Sequence, residues 1–256
     1  MIRSVLGFVC LLMATVAMHG TPSQQTTGQG VATGSVRVAG PDDPDWLYEH
    51  REDLNSATRA ADLWAAHAAA DFDAAWKLSR VCFWLGTHAP QSARRAALNR
   101  GIDAGETAVR FMPGRPEGFF WMGANLGALA ESSSLIQGVT YLGRIKNAFE
   151  HAIMIAPGWQ RGSAEAALGR WYLKVPRLLG GSRTRAEAYL RRALQYDPDS
   201  LMALLYLADV VTADGRVDEA RVLLQQIIDT PADPEWIPEA SEFKGKAARR
   251  LTALDK

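Results

Sequence analysis

The sequence predicts an all-α protein built from helical hairpins that stack side by side, and two observations favour this fold class. First, an alanine is followed five residues later by a proline in three places, at residues 108–113, 152–157 and 193–198. Second, apolar residues recur at helical spacing after residue 46, and no alternating strand pattern competes with them. One helix end repeated three times is typical of a repeat array whose units share a core.

The first apolar stripe follows steps of three and four residues, which place its members on one helix face. Its members are Leu54, Ala57, Ala61, Trp64 and Ala68. Later helices are predicted near 72–86, 91–112, 116–131, 138–156, 161–173, 183–196, 199–213 and 216–229. A final helix at 238–254 is apolar on one side and charged on the other, which is typical of a cap that seals the end of an array.

The unit that spans residues 204–220 is close to the tetratricopeptide pattern of two helices joined by a short turn. The distance from Pro113 to Pro157 is 44 residues and that from Pro157 to Pro198 is 41, compared with about 34 for a plain tetratricopeptide unit. The extra residues fall near 131–138 and 174–183, between the two helices of a pair. We therefore predict a helical-hairpin solenoid with two enlarged intra-repeat loops on the same rim.

The chain divides into a predicted signal peptide (1–20), a flexible linker (21–45) and the repeat domain (46–256). Arg3 precedes an apolar run of about 13 residues, which fits a signal peptide and falls short of the roughly 20 needed to span a bilayer. Cleavage of this segment and its retention as an anchor both stay open. Val9 before Cys10 disfavours a lipid anchor. Because of the predicted signal peptide, we expect an exported protein of the periplasm or cell envelope.

Charge and motifs argue against nucleic-acid binding and catalysis. The 28 basic and 28 acidic residues give a net charge of zero, so the whole chain has no field that attracts nucleic acid or an anionic membrane. Ser241 and Lys244 have the Ser-x-x-Lys spacing of penicillin-binding enzymes, but the other motifs of that chemistry are absent. The histidines have no ligand spacing. We predict a protein that is not an enzyme and has neither cofactor nor metal.

Candidate binding residues border the two predicted loops, where aromatic rings, polar groups and basic residues could form a rim that binds an apolar ligand or a partner's helix. They are Trp121, Asn125, Ser132, Ser133, Ser134, Tyr141, Trp171, Tyr172, Lys174 and Arg177. The alternatives are packing of the aromatic rings between repeats, helix capping by the polar groups and solvation of the basic residues. For the segment Gly180-Gly-Ser182 we favour a glycine turn with a serine cap.

Several segments together resemble the tetratricopeptide-like T component of TRAP transporters, the TatT family. The similarity covers most of the chain from Trp46 to Leu251. It rests on Tyr48-Glu-His-Arg51, Ala74-Ala-Trp-Lys-Leu-Ser-Arg80, Trp121-Met-Gly-Ala-Asn125, residues 149–157, Gly169-Arg-Trp-Tyr172, Val175-Pro176 and Gly180-Gly-Ser182. The eukaryotic regulators of microtubule dynamics are similar in the same helices.

The resemblance implies an all-helical envelope protein with an internal cleft or pore that works beside the solute-binding subunit of a secondary uptake system. It does not imply catalysis. Our first hypothesis is an exported, non-enzymatic repeat protein that binds this periplasmic subunit, or its hydrophobic ligand, in support of transport. A second hypothesis is a general envelope scaffold whose groove binds peptide segments of another envelope protein, such as part of an assembly or secretion complex. A homo-oligomer is compatible with either hypothesis.

Overall fold

The computed structural model describes residues 40–254, and their regular structure consists of helices. The predicted signal peptide and most of the predicted linker lie outside the described residues. The α-helices are α1 (Pro44–Glu49), α2 (Leu54–Ala65), α3 (Phe72–His88), α4 (Gln91–Phe111), α5 (Pro116–Ser132), α6 (Leu135–Ile155), α7 (Trp159–Lys174), α8 (Arg183–Tyr196), α9 (Leu201–Ala213), α10 (Val217–Asp229) and α11 (Ile237–Leu254). Short 3₁₀ helices cover Arg177–Leu179 and Pro234–Trp236.

Consecutive helices pack as hairpins, which pair α3 with α4, α5 with α6, α7 with α8 and α9 with α10. The second helix of each hairpin also packs on the first helix of the next, since α4 contacts α5, α6 contacts α7 and α8 contacts α9. The fold class is therefore confirmed as an all-α, tetratricopeptide-like array of hairpins. The predicted helices agree with the observed ones within a few residues.

The repeated proline ends three helices in the same way. Helices α4, α6 and α8 stop two residues before Pro113, Pro157 and Pro198. The residue between has nearly the same backbone angles each time, with φ of −137°, −143° and −144° and ψ of 79°, 86° and 95°. A proline ring clashes with a helical conformation of the residue before it, so the chain must turn there.

The apolar core runs through the stack as three clusters of buried side chains. One lies between α1 and α4, one extends from α4 to α10, and one joins α9 and α10 to α11. Trp76 packs against the first two clusters, and Leu194, Leu223 and Leu254 pack against the last two. A hairpin in the middle of the stack thus buries its apolar faces against its neighbours.

A buried polar node fixes the distance between the first two hairpins. Ser79 on α3 donates a hydrogen bond from Oγ to the Gly101 carbonyl of α4 at 2.7 Å. Asn125 on α5 is fully buried, and its Nδ2 donates to the carbonyls of Ser79 at 2.9 Å and Trp121 at 2.8 Å. A Cβ atom on Gly101 would lie 2.3 Å from Oδ1 of Asn125. Only glycine therefore fits where α4 meets α5.

The prediction of an enlarged loop at 131–138 is wrong. Only Ser133 and Ser134 separate α5 from α6, and the extra residues lengthen the helices to 17 and 21 residues. Apolar and polar residues continue at helical spacing through this region, so lengthening the hairpin extends its packing without exposing a loop backbone.

The second enlarged loop is present between α7 and α8. It contains the 3₁₀ helix, and Gly180 has a φ of 104° that favours glycine. Oγ of Ser182 accepts a hydrogen bond from the Arg185 amide at 3.3 Å and caps α8. These contacts confirm the turn-and-cap interpretation of Gly180-Gly-Ser182.

Helix α11 packs against α9 and α10 through Phe243, Ala247 and Leu251, as predicted for a cap. Among residues 40–254, no helix combines the length and apolar character required to cross a bilayer.

We expect Gly101→Ala to lower the free energy of unfolding by about 1–3 kcal/mol, because the added methyl group overpacks the buried node. The matched control is Gly143→Ala on α6, where a Cβ atom meets no other atom within 4 Å. There the better helix propensity of alanine should raise stability by about 0.5–1 kcal/mol. Urea unfolding followed by circular dichroism measures both values. Stabilisation by both substitutions would contradict the proposed packing.

Candidate functional site

The structure places the predicted aromatic rim residues inside the array. Trp121 and Trp171 expose only 4% and 8% of their surface, and Tyr172 exposes 3%. The ring of Trp121 contacts those of Phe83 and Phe120, and Trp171 contacts Tyr172 edge to face. These rings, like Asn125, therefore pack between helices and do not present a surface to an apolar ligand. Helical spacing showed that they share faces, but not which face points inwards.

The remaining predicted site residues lie at or near the surface. The hydroxyl groups of Ser132 and Ser133 donate to the Leu129 carbonyl, and Ser134 caps α6. Tyr141 is half-buried. Lys174 and Arg177 are exposed beside the loop between α7 and α8. The serines thus act as helix-end residues, and only the two basic residues keep the rim position that the sequence predicts.

A different cluster forms from two motif segments, Tyr48 to Arg51 and Ala74 to Arg80. The buried Arg80 guanidinium lies 3.8 Å from the ring centre of Tyr48 and 5.0 Å from that of Trp76. The Lys77 ammonium lies 2.7 Å from Oδ2 of Asp45 and 5.9 Å from the ring centre of Trp64. The motifs therefore bring cations and aromatic rings together at the start of α3.

An open pocket of about 340 Å³ lies in this cluster, between the end of α2 and the start of α3. It is lined by Trp64, His67, Asp71, Asp73, Ala74 and Lys77. Asp71 caps α3 through the Ala74 amide, and Asp73 accepts a hydrogen bond from Nε1 of Trp76 at 2.9 Å. The pocket thus presents both signs of charge, and Trp64 reaches it with the small part of its surface, 5%, that is exposed. We call it the α2–α3 pocket.

The N-terminal hairpins also contact the last helix directly. Arg51 exposes 1% of its surface, and its Nε and Nη2 donate to the two carboxylate oxygens of Glu239 at 3.1 and 2.5 Å. The Arg51 guanidinium faces the rings of Tyr48, Trp84 and Trp236. A guanidinium held by a bidentate carboxylate and by aromatic rings is firmly fixed. We call this contact between residues 188 positions apart the end clasp.

A second contact reinforces the end clasp. Nε2 of His88, at the end of α3, lies 2.6 Å from Oε1 of Glu242 on α11, and the His88 ring stacks on Trp84. Burial raises the pKa of Glu242, but His88 and Lys246 lower it by more, so the net shift is downwards. Glu242 is therefore held in its charged form against the N-terminal hairpin.

The described residues do not gather the ligands of a metal centre. No group of three or more His, Cys, Asp or Glu side chains within residues 40–254 is placed to hold a metal ion. Burial raises the pKa of the Cys82 thiol to about 12, so this cysteine is a core residue rather than a nucleophile. Ser241 is exposed on the capping helix.

Comparison with known families assigns the chain to a class and then to a family. Residues 178–237 match the tetratricopeptide repeat family, so the protein is a tetratricopeptide-like repeat protein, a class suited to protein binding. Residues 43–188 match the family described as regulator of microtubule dynamics protein 1-3, and the chain belongs to this family. The resemblance to that group is confirmed for residues 43–188, from the start of α1 into α8.

One solved structure supports the fold, and a second is reported beside it. A thermophilic TPR protein of Thermus thermophilus is similar with a TM-score of 0.61 and 22% identity, over 83% of this chain and 100% of that chain. The crystal structure of MamA gives a TM-score of 0.46 and 15% identity, over 79% of this chain and 96% of that chain. No curated protein gives a significant match.

We expect Glu239→Gln to lower the free energy of unfolding by about 2–4 kcal/mol, because it leaves the buried Arg51 charge without its carboxylate. The control is Glu106→Gln, which breaks the ion pair between Glu106 and Arg144. The side chain of Glu106 is 40% exposed and that of Arg144 is 50% exposed. That pair should contribute less than about 1 kcal/mol. Urea unfolding of both variants tests the difference, and equal losses would show that the end clasp does not stabilise the fold.

Proposed function

We propose that this protein is an exported, non-enzymatic scaffold that binds the periplasmic solute-binding subunit of a TRAP-type transporter in support of uptake. The observation that carries the proposal is the α2–α3 pocket, because the motif segment Ala74 to Arg80 contributes to its lining. This segment belongs to the resemblance to the TatT family. The export and periplasmic location in the proposal come from residues 1–20, which lie outside the described residues.

The chemistry of the pocket favours a protein partner over a hydrophobic small molecule. Its volume of about 340 Å³ is near the lower end for small-molecule sites, and it is open to solvent. Lys77 and Asp73 present opposite charges beside the Trp64 indole. A few side chains of a folded partner can satisfy these groups at the rim of an interface. The residues predicted to line an apolar cleft, Trp121 and Trp171, are buried by the protein itself.

The open, charged character of the same pocket also favours a second function, that of a general envelope scaffold that binds peptide segments of an assembly or secretion complex. Proteins bind extended or helical segments in surface grooves, and stacked helical repeats provide extended surfaces for such binding. The two functions differ in the partner: the first requires a folded solute-binding subunit, and the second requires only a short segment.

The test is titration calorimetry of the full chain with the purified solute-binding subunit encoded in the same genome. We expect binding that Lys77→Glu weakens about tenfold, since the substitution adds a carboxylate beside Asp71 and Asp73 and removes the lysine of the pocket lining. The matched control is Lys146→Glu. Lys146 also pairs with one carboxylate at 2.7 Å, and its side chain is 30% exposed compared with 23% for Lys77.

Circular dichroism first confirms that both variants are folded. Absence of binding by the folded wild-type chain would contradict the transport function, and capture of the subunit's unfolded peptides but not of the folded subunit would favour the scaffold function. Equal affinity of the two lysine variants would place the binding site outside the α2–α3 pocket.

A further inference from the structure

One edge of the array exposes large apolar side chains that no other part of the described protein covers. The turn between α5 and α6 connects the two helices of one hairpin, and the loop between α7 and α8 connects those of the next hairpin. Both connections therefore lie on this edge. Leu178 at the loop tip is 99% exposed and Ile136 in the first turn of α6 is 85% exposed. Leu179 and Val139 are each more than two-fifths exposed. We call these four residues, with Lys174, Arg177, Arg183 and Arg185, the apolar-basic rim.

Two segments of this edge carry basic residues only, although Asp214, Asp218 and Glu219 lie on the same edge at the turn between α9 and α10. Residues 132–149 and 174–186 together contain six lysines or arginines and no aspartate or glutamate. The zero net charge of the whole chain conceals this local excess. Arg183 pairs with Asp214 at 3.0 Å, and Lys174 approaches Asp209 only at 4.0 Å. Arg177 and Arg185 form no ion pair with the described residues 40–254. The rim therefore keeps uncompensated positive charge.

Helix stability does not explain this distribution. The N-terminus of a helix favours acidic side chains, and α10 follows that rule with Asp218 and Glu219 in its first turn. On the same edge, the first turn of α8 instead contains Arg183 and Arg185, which the positive end of the helix dipole disfavours. Exposed leucine and isoleucine also cost free energy in water, because their apolar surface stays hydrated. Both features are disfavoured in an isolated folded chain and point to a partner.

We infer that the apolar-basic rim docks on the surface of an anionic lipid membrane. Leu178, Leu179 and Ile136 would enter the boundary between headgroups and acyl chains, while Lys174, Arg177 and Arg185 would lie among the anionic headgroups. A protruding loop tip favours this occupant over an acidic protein. A protein would need a pocket shaped to accept Leu178, whereas a bilayer accepts any projecting apolar group.

The α2–α3 pocket remains free in this arrangement. It lies at the N-terminal end of α3, and the rim lies at the C-terminal ends of α5 and α7, which are also first helices of their hairpins. The two sites therefore occupy opposite edges of the array. A rim substitution that abolishes membrane docking should leave binding at the pocket unchanged, so the two proposals can fail separately.

The experiment mixes the full chain with vesicles of phosphatidylcholine alone or with about 30% phosphatidylglycerol and measures hydrogen exchange by mass spectrometry. We expect protection of residues 133–140 and 175–182 with the anionic vesicles only. Cosedimentation should show at least about tenfold stronger binding to the anionic vesicles, which salt at about 0.5 M weakens. Residues 1–20 are mostly apolar and would bind both kinds of vesicle. The exchange pattern at residues 133–140 and 175–182 therefore reports the rim separately from any such binding.

The variants are Leu178→Asp with Leu179→Asp, and Arg177→Glu, each of which changes exposed side chains. Each should weaken the anionic binding at least about fivefold. Arg177→Glu removes a basic residue, which contributes about that factor near the surface. The two leucine substitutions replace the inserted apolar side chains with charged ones. The control Val222→Asp on α10, at a site that is 67% exposed, should not change it.

Two results would overturn the inference. One is equal exchange of residues 133–140 and 175–182 with both kinds of vesicle, together with unchanged cosedimentation of the rim variants. The other is self-association of the wild-type chain in sedimentation velocity that the rim variants abolish while vesicle binding persists, which would assign the rim to a second copy of the protein.

Discussion

Close packing between successive hairpins is the constraint on which the rest of the structure depends. The helices approach one another through small residues, as where Gly101 meets Asn125 and Gly169 meets Leu190. A middle hairpin is covered by apolar side chains from both neighbours, so its stability is inseparable from theirs. The repeated proline supports the same packing between hairpins. It ends the second helix of a hairpin at the point where the chain turns back to begin the next hairpin.

The end clasp gives the array a property that stacking alone does not provide. A simple solenoid couples only adjacent repeats, whereas the Arg51–Glu239 contact joins the first hairpins to the capping helix. The two surfaces proposed for partners both lie on outer edges of the array. The α2–α3 pocket occupies one edge and the apolar-basic rim the opposite one, which suits a protein that connects two binding partners.

Local features of the sequence predicted the local features of the fold. Proline positions and apolar spacing located the helices, and amphipathicity identified α11 as the cap. The candidate site was predicted less well. Trp121 and Trp171 satisfied the helical spacing of a rim as well as that of a core, and spacing alone cannot distinguish the two. The Glu239 contact of Arg51 depends on the superhelical path of the whole chain, and no local pattern carries that information. Only the motif around Lys77 contained a signal for the pocket, since Ala74 and Lys77 lie one helical turn apart and both line it, whereas its indole comes from Trp64 on α2.

The claim that the hairpins and the end clasp form one cooperative unit is tested most directly by hydrogen exchange of the full chain at increasing urea concentrations. The account predicts that the most protected amides of α3 and α4 and those of α9 and α10 lose protection at the same urea concentration. If α9–α11 lose protection at a clearly lower urea concentration while α3–α5 stay protected, the two ends of the array unfold independently. That result would contradict the claim of one cooperative unit.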